Sequence, residues 1–154
     1  MSEHFIPKHG GYESLQSYRK ALIVYQATRA FCKSYFHKYD RTIDQMVQAA
    51  RSGKQNIIEG SMASGTSKET EIKLTNVARA SLEKLLEDYR DILREHDIEE
   101  WNKNHRYAQR LRELLRNPDA NYETFRPAVE HTELAIRANA IIGLIKVANY
   151  LLDQ

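Results

Sequence analysis

Apolar residues recur along this chain at intervals of three and four and nowhere alternate with polar ones, a pattern that predicts helices and no strands. Pro7 and the Gly10-Gly11 pair mark residues 1–13 as an arm. The first predicted helix covers about residues 14–37. At about 100° per residue, Tyr18, Leu22, Tyr25, Cys32 and Phe36 share a face. Val24, Ala27, Phe31 and Tyr35 lie beside them, so the apolar arc is wider than one core requires. The polar remainder is a narrow stripe of Arg19, Gln26, Arg29 and Lys33.

A second helix is predicted over about residues 42–60, with Ile43, Met46, Val47, Ala50, Gly53 and Ile57 as its apolar stripe. Gly53 on that stripe implies close approach of a neighbouring backbone, because glycine weakens a helix by about 1 kcal/mol relative to alanine. Residues 60–65, Gly-Ser-Met-Ala-Ser-Gly, form the clearest break in the chain. Thr66 followed by Glu69 has capping-box spacing and predicts the start of a third helix, ending near His96. Thr75, Ala78, Leu82, Leu85, Leu86, Tyr89 and Leu93 line its inner face. Asp97 and Glu100 have the same spacing and predict a shorter helix to about Arg116, with Trp101, Ala108, Leu111 and Leu115 on one side. After Asn117-Pro118-Asp119 and a turn at residues 122–125, Pro127 suits the first position of a last helix reaching Leu152.

That last helix has two apolar faces. Nine of the twelve residues from Ile141 to Leu152 are hydrophobic, too short a run to cross a bilayer of about 20 helical residues. Such a helix is either central in a bundle or buried on both sides by self-association. The chain therefore reads as one all-α domain over residues 1–154. It is an antiparallel up-down four-helix bundle with a helical insertion at residues 97–126 before the last helix. Surplus apolar surface on the first and last helices predicts a homo-oligomer. The alternative is a monomer whose arm and short helix cover the surplus.

The second and third helices also carry a resemblance. Asn56-Ile57-Ile58-Glu59-Gly60 closes the second, Lys68-Glu69-Thr70 opens the third, and Ala78 with Ser81-Leu82-Glu83 follows. Residues 139–154, with Asn149-Tyr150-Leu151-Leu152-Asp153, complete the pattern. The chain resembles the four-helix bundle proteins related to those encoded in intervening sequences of bacterial large-subunit ribosomal RNA. The insertion resembles that of the variant group called four helix bundle suffix proteins. Ser61-Met62-Ala63 stands where the family commonly has Arg after Glu-Gly. The resemblance implies a cytosolic homopentamer around a central axis and no established enzymatic activity. One relative, the accessory protein of diversity-generating retroelements, binds nucleic acid and a reverse transcriptase through a basic surface.

Composition narrows the chemistry. One cysteine among 154 residues excludes a disulfide framework. The first 25 residues hold no basic start followed by an apolar core, so a cytoplasmic location with no membrane partner is expected. The net charge of +2 does not by itself demand nucleic acid. Its distribution is uneven: residues 1–65 carry nine Lys/Arg against five Asp/Glu, and residues 119–154 carry three against five. The insertion adds Arg106, Arg110, Arg112 and Arg116. No histidine has a glutamate three residues before it, as a di-metal bundle requires, and Glu130, His131 and Glu133 are the nearest approximation. Cys32 lies in an apolar arc, Asp88 and Asp91 lie on a charged face, and no phosphate or dinucleotide loop is present. The expectation is no enzyme, no metal and no cofactor.

Lys54 stands out because it projects from the apolar stripe of its helix. It must extend its ammonium to solvent, pair with a carboxylate, or face a pore or partner. Asn56 and Glu59 on the opposite side need partners if buried. Arg19, Arg29, Lys33 and Lys54 are the candidate nucleic-acid contacts, directed at RNA or DNA backbone and multiplied by a ring of subunits. The alternative function is a protein-protein scaffold with no nucleic-acid role, using the apolar arc or the Trp101 segment.

Overall fold

The computed structural model describes residues 11–37, 40–63 and 65–153, with side chains from Leu15 onward. Among them are six helices and no strand: α1 (Gly11–Tyr35), α2 (Arg41–Ala63), α3 (Lys68–Glu95), α4 (Arg106–Leu115), α5 (Tyr122–Val129) and α6 (Leu134–Leu152). Residues 1–10 of the predicted arm lie outside the described residues. Its last three residues, Gly11 to Glu13, belong to α1.

Local chemistry sets the helix ends, and several differ from expectation. Asp40 caps α2, its carboxylate accepting the Thr42 N–H at 2.8 Å. That bond holds the Asp40 carboxyl below its ordinary range. α2 does not break at Gly60 but continues to Ala63, because its last turns are packed along α3. A Cβ at Gly60 would lie 3.4 Å from Leu74 Cβ, ordinary contact. The cap of α3 is Ser67 rather than Thr66. Ser67 Oγ accepts the Thr70 N–H at 3.1 Å, while the Thr66 hydroxyl turns back to donate to Ala63 O.

Asp97 ends α3 instead of starting the next helix. It sits at φ 53, in the left-handed region. The Ile98 N–H reaches Leu93 O at 2.9 Å and the Asp97 N–H reaches Arg94 O at 3.2 Å, a Schellman closure. Trp101 therefore lies on an irregular segment. α4 begins only at Arg106, capped by His105, whose Nδ1 accepts the Tyr107 N–H at 3.1 Å. Pro127 sits inside the separate helix α5, which Asn121 caps, and the last helix starts at Leu134.

α2 packs along α3, α1 along α2, and α6 against both α1 and α3. α5 touches α6 and α1, and α4 lies on α6. At one end of the core Phe31 meets Tyr89 edge-on with ring centroids 5.1 Å apart. The Tyr89 hydroxyl, fully buried, donates to Thr28 Oγ1 at 3.0 Å. Gly53 lets α2 approach α3, but the group it admits is the Leu82 side chain rather than backbone. An added Cβ would come within 2.8 Å of Leu82 Cδ2.

α6 is the central helix. Ile141, Ile142, Leu144 and Ile145 span more than a full turn and are at most 2% exposed. The middle of both apolar faces is thus covered within the chain, while Leu134, Ile136, Val147, Leu151 and Leu152 toward the ends are half-buried. By length and composition the 19-residue α6 is long and apolar enough to cross a membrane, which the twelve-residue run had not suggested. Half of it is buried, and it carries the buried Asn139 and Asn149. Asn139 is fully used: Nδ2 donates to Ala135 O and Glu99 O, and Oδ1 accepts the Trp101 N–H at 2.8 Å.

Candidate nucleic-acid interface

α1 and α2 lie side by side, and their outer faces meet at Tyr25. Tyr25 is half-buried on α1, one turn before the exposed Arg29 and two before the exposed Lys33. From α2, Arg51 and Lys54 approach the same ring. The Lys54 ammonium lies 4.9 Å from the ring centroid, and the guanidinium carbons of Arg29 and Arg51 each lie 5.9 Å from it. Three cations thus surround one aromatic ring. A hydrogen bond from Arg51 draws the Tyr25 hydroxyl below its ordinary pKa; burial opposes this, and the charges of Arg29 and Arg51 reinforce it.

Beyond Tyr25 an open groove of about 750 Å³ runs between the two helices, with Arg29 and Lys33 on one bank and Asp44 on the other. Val47 and Ile43 form its apolar side. Among the described residues no carboxylate lies within ion-pair distance of Arg29, Lys33, Arg51 or Lys54. Asp40, at the head of α2, is committed to its cap. Like charges gathered with no carboxylate in ion-pair distance repel one another, and this arrangement favours an anion from outside.

The structure brings together three of the four residues singled out from sequence and separates the fourth. Arg19 donates through Nη1 to Pro118 O at 2.9 Å and lies 3.7 Å from the Asp119 carboxylate. The connection between α4 and α5 folds back onto α1 and occupies it. In its place stands Arg51, which sequence reading missed as a site residue. The available signal was its position three residues before Lys54 on α2. Which turn of α1 meets which turn of α2 is not written in either pattern. Lys54 resolves its conflict by laying its ammonium over Tyr25 at the edge of the stripe. Asn56 donates to Ser52 O at 2.8 Å, next to a Ser52–Ser81 hydroxyl pair at 2.7 Å, whereas Glu59 is exposed.

Other candidate groups have structural employment. Cys32 is buried, and burial with the nearby Asp88 charge pushes its thiol up to about 12, which disfavours the thiolate form. Glu130 accepts the Tyr122 hydroxyl, and His131 Nδ1 accepts the Glu133 N–H at 2.9 Å. Among the described residues no three His, Cys, Asp or Glu side chains gather as metal ligands would. Comparison with protein-family models, with curated proteins and with solved structures finds no match to this chain.

Proposed function

We propose that this protein is a non-enzymatic helical scaffold that holds a nucleic-acid phosphate backbone on the α1–α2 face. The observation that carries the reading is the set of three cations, Arg29, Arg51 and Lys54, around Tyr25, with Lys33 on the adjoining groove, none of the four having a carboxylate in ion-pair reach among the described residues. Phosphates are the external anions that such a row suits, and binding through them is insensitive to base sequence and steeply dependent on salt.

The scaffold in this reading is an antiparallel four-helix bundle of α1, α2, α3 and α6, with α4 and α5 as an excursion before the last helix. Its support is the closed cycle of contacts from α1 to α2, α3, α6 and back, and a shared layer of Ala21, Ile57, Ala78 and Leu152. That layer joins the early turns of α1 and α3 to the late turns of α2 and α6. Kinship with the intervening-sequence bundle family belongs to the same reading, and so does self-association in the cytoplasm. Its structural motive is the half-buried Leu134, Ile136, Val147 and Leu151 of α6 together with exposed apolar side chains. Met62 on α2, Ile72 and Val77 on α3 and Tyr150 on α6, the last 64% exposed, are among the apolar side chains available to another copy.

Mobility shifts with a short RNA and a short DNA at two salt concentrations test the function. A complex at low salt that dissolves steeply as salt rises is the expected result; no shift with either at low salt removes the reading. Light scattering coupled to size-exclusion chromatography tests association separately, with a particle near the 17.9 kDa of one chain at every concentration as the contrary result.

A further inference from the structure

A second site lies where α4 packs on α6. A cleft of about 350 Å³ opens there, at the small end of the roughly 300–1,000 Å³ usual for ligand pockets. Its floor is aliphatic, made by Leu111, Ile142 and Val147. Gly143 lies among them, so α4 sits close to bare α6 backbone; an added Cβ would stand 3.1 Å from Leu111 Cδ2. Trp101 forms the end wall and is held on two sides. Its backbone N–H is fixed by the buried Asn139, and its ring stacks on His105 with centroids 4.7 Å apart and planes 11° from parallel. A wall already fixed in place loses little freedom when a ligand enters.

The rim is cationic. Lys103, Arg112 and Lys146 border the cleft. Lys146 is spent on Glu100 at 2.6 Å, and Glu100 is also held by Arg90 at 2.8 Å. Lys103 and Arg112 make no ion pair among the described residues, and the Arg112 guanidinium is steadied at the rim by donating to the Lys103 carbonyl. An aliphatic cavity under two uncommitted cations is complementary to one kind of small molecule.

We propose that this cleft binds a medium-chain alkyl carboxylate, its chain packed against Leu111, Ile142 and Val147 beside Trp101 and its carboxylate directed to Lys103 and Arg112. The floor supplies apolar burial, and the rim supplies charge-assisted hydrogen bonds to the head group. The site is independent of the α1–α2 face and stands or falls separately from nucleic-acid binding.

Trp101 is the only tryptophan in the chain, so its fluorescence reports this cleft alone. Titration of the full-length protein with octanoate is expected to give a saturating shift in Trp101 emission. Octan-1-ol, without the charge, and inorganic phosphate, without the chain, should each bind at least about tenfold more weakly. The exposed double variant Lys103→Ala/Arg112→Ala should lower octanoate affinity to that of octan-1-ol. Ala108→Leu, which fills the cleft, should weaken both while far-UV circular dichroism stays that of the parent. The proposal is overturned if octanoate gives no saturating shift, if octan-1-ol or phosphate binds as tightly as octanoate, or if the Lys103/Arg112 double variant binds octanoate unchanged.

Discussion

Two regions of this molecule use their cations in opposite ways. On the α3–α6 side Arg90 takes Glu100 through Nε at 2.8 Å and Glu87 through Nη1 at 2.9 Å, and Lys146 closes on the same Glu100 at 2.6 Å. Arg90, Lys146 and Glu100 each have a counter-charge from another turn or another element. On the α1–α2 side Arg29, Arg51 and Lys54 surround a tyrosine with Lys33 on the adjoining groove, and among the described residues none of the four has a carboxylate within ion-pair distance. Charges that close on one another fasten the segment at Glu100 to the bundle. Charges that do not are a cost to the fold, and their contribution appears when an anion arrives from outside. On the proposed function, the contrast separates residues that matter for stability from residues that matter for binding.

The largest effect is expected from Arg51→Glu/Lys54→Glu. Reversing two charges in the cluster should weaken RNA or DNA binding by about tenfold to a hundredfold near 0.1 M salt, with thermal stability close to that of the parent. Lys146→Ala should do the reverse, leaving the mobility shift intact and lowering the melting temperature. Equal loss of binding in both variants would mean that overall charge, rather than this face, governs the interaction.

Glu100→Gln tests the paired side. Burial works against the Glu100 carboxylate, but hydrogen bonds from Arg90 and Lys146 outweigh it and hold the group below its ordinary value of 4.5. A lowered folded value means that the contribution to stability is complete above that pH and fades as pH falls through the lowered value. Denaturant melts should show a loss of about 1–2 kcal/mol at neutral pH for Glu100→Gln. The gap between parent and variant should narrow below pH 4.5. A gap that stays constant with pH contradicts the assignment.

The legible and illegible parts of this structure divide along the same physical line. Helical periodicity located α1, α2, α3 and α6, because burial of one stripe per turn is recorded in the residue types. Ends were read less well where two residues of one type compete. Thr66 and Ser67 both qualify as caps, and Ser67 serves because Thr70, not Glu69, meets it. Asp97 followed by Glu100 has the composition of a helix start, yet the closure from Ile98 to Leu93 makes it a helix end. At the candidate site, Lys54 could be singled out from the clash between its charge and its position. Arg51 offered no such clash. Its role depends on the register between α1 and α2, which is set by packing across both helices.

α2 carries the cluster on its outer face and Gly53 on its inner one, so it also allows packing and charge to be varied separately. Gly53→Ala forces a Cβ to within 2.8 Å of Leu82 Cδ2 in a fully buried place. Overpacking of about 1–3 kcal/mol set against about 1 kcal/mol of regained helix propensity leaves a net loss of about 1 kcal/mol. Gly60→Ala meets only ordinary contact at 3.4 Å and should stabilise by about 0.5–1 kcal/mol. If nucleic-acid affinity follows the cluster alone, neither change should alter the salt slope.

The smallest effect, and the finest test, concerns Arg19. By residue type and by its place on the polar stripe of α1 it is the equal of Arg29. The difference is that the α4–α5 connection supplies a carbonyl at 2.9 Å and a carboxylate at 3.7 Å. The Asp119 side chain is 89% exposed, so this pair is largely in water and contributes little to stability. Arg19→Ala should therefore change the unfolding free energy by less than about 0.5 kcal/mol. It should leave the salt slope of nucleic-acid binding unchanged, whereas Arg29→Ala should reduce that slope by about one. Equal slopes for the two variants would show that an arginine already engaged within the chain still reaches the phosphate backbone, and pairing would then no longer distinguish the two faces.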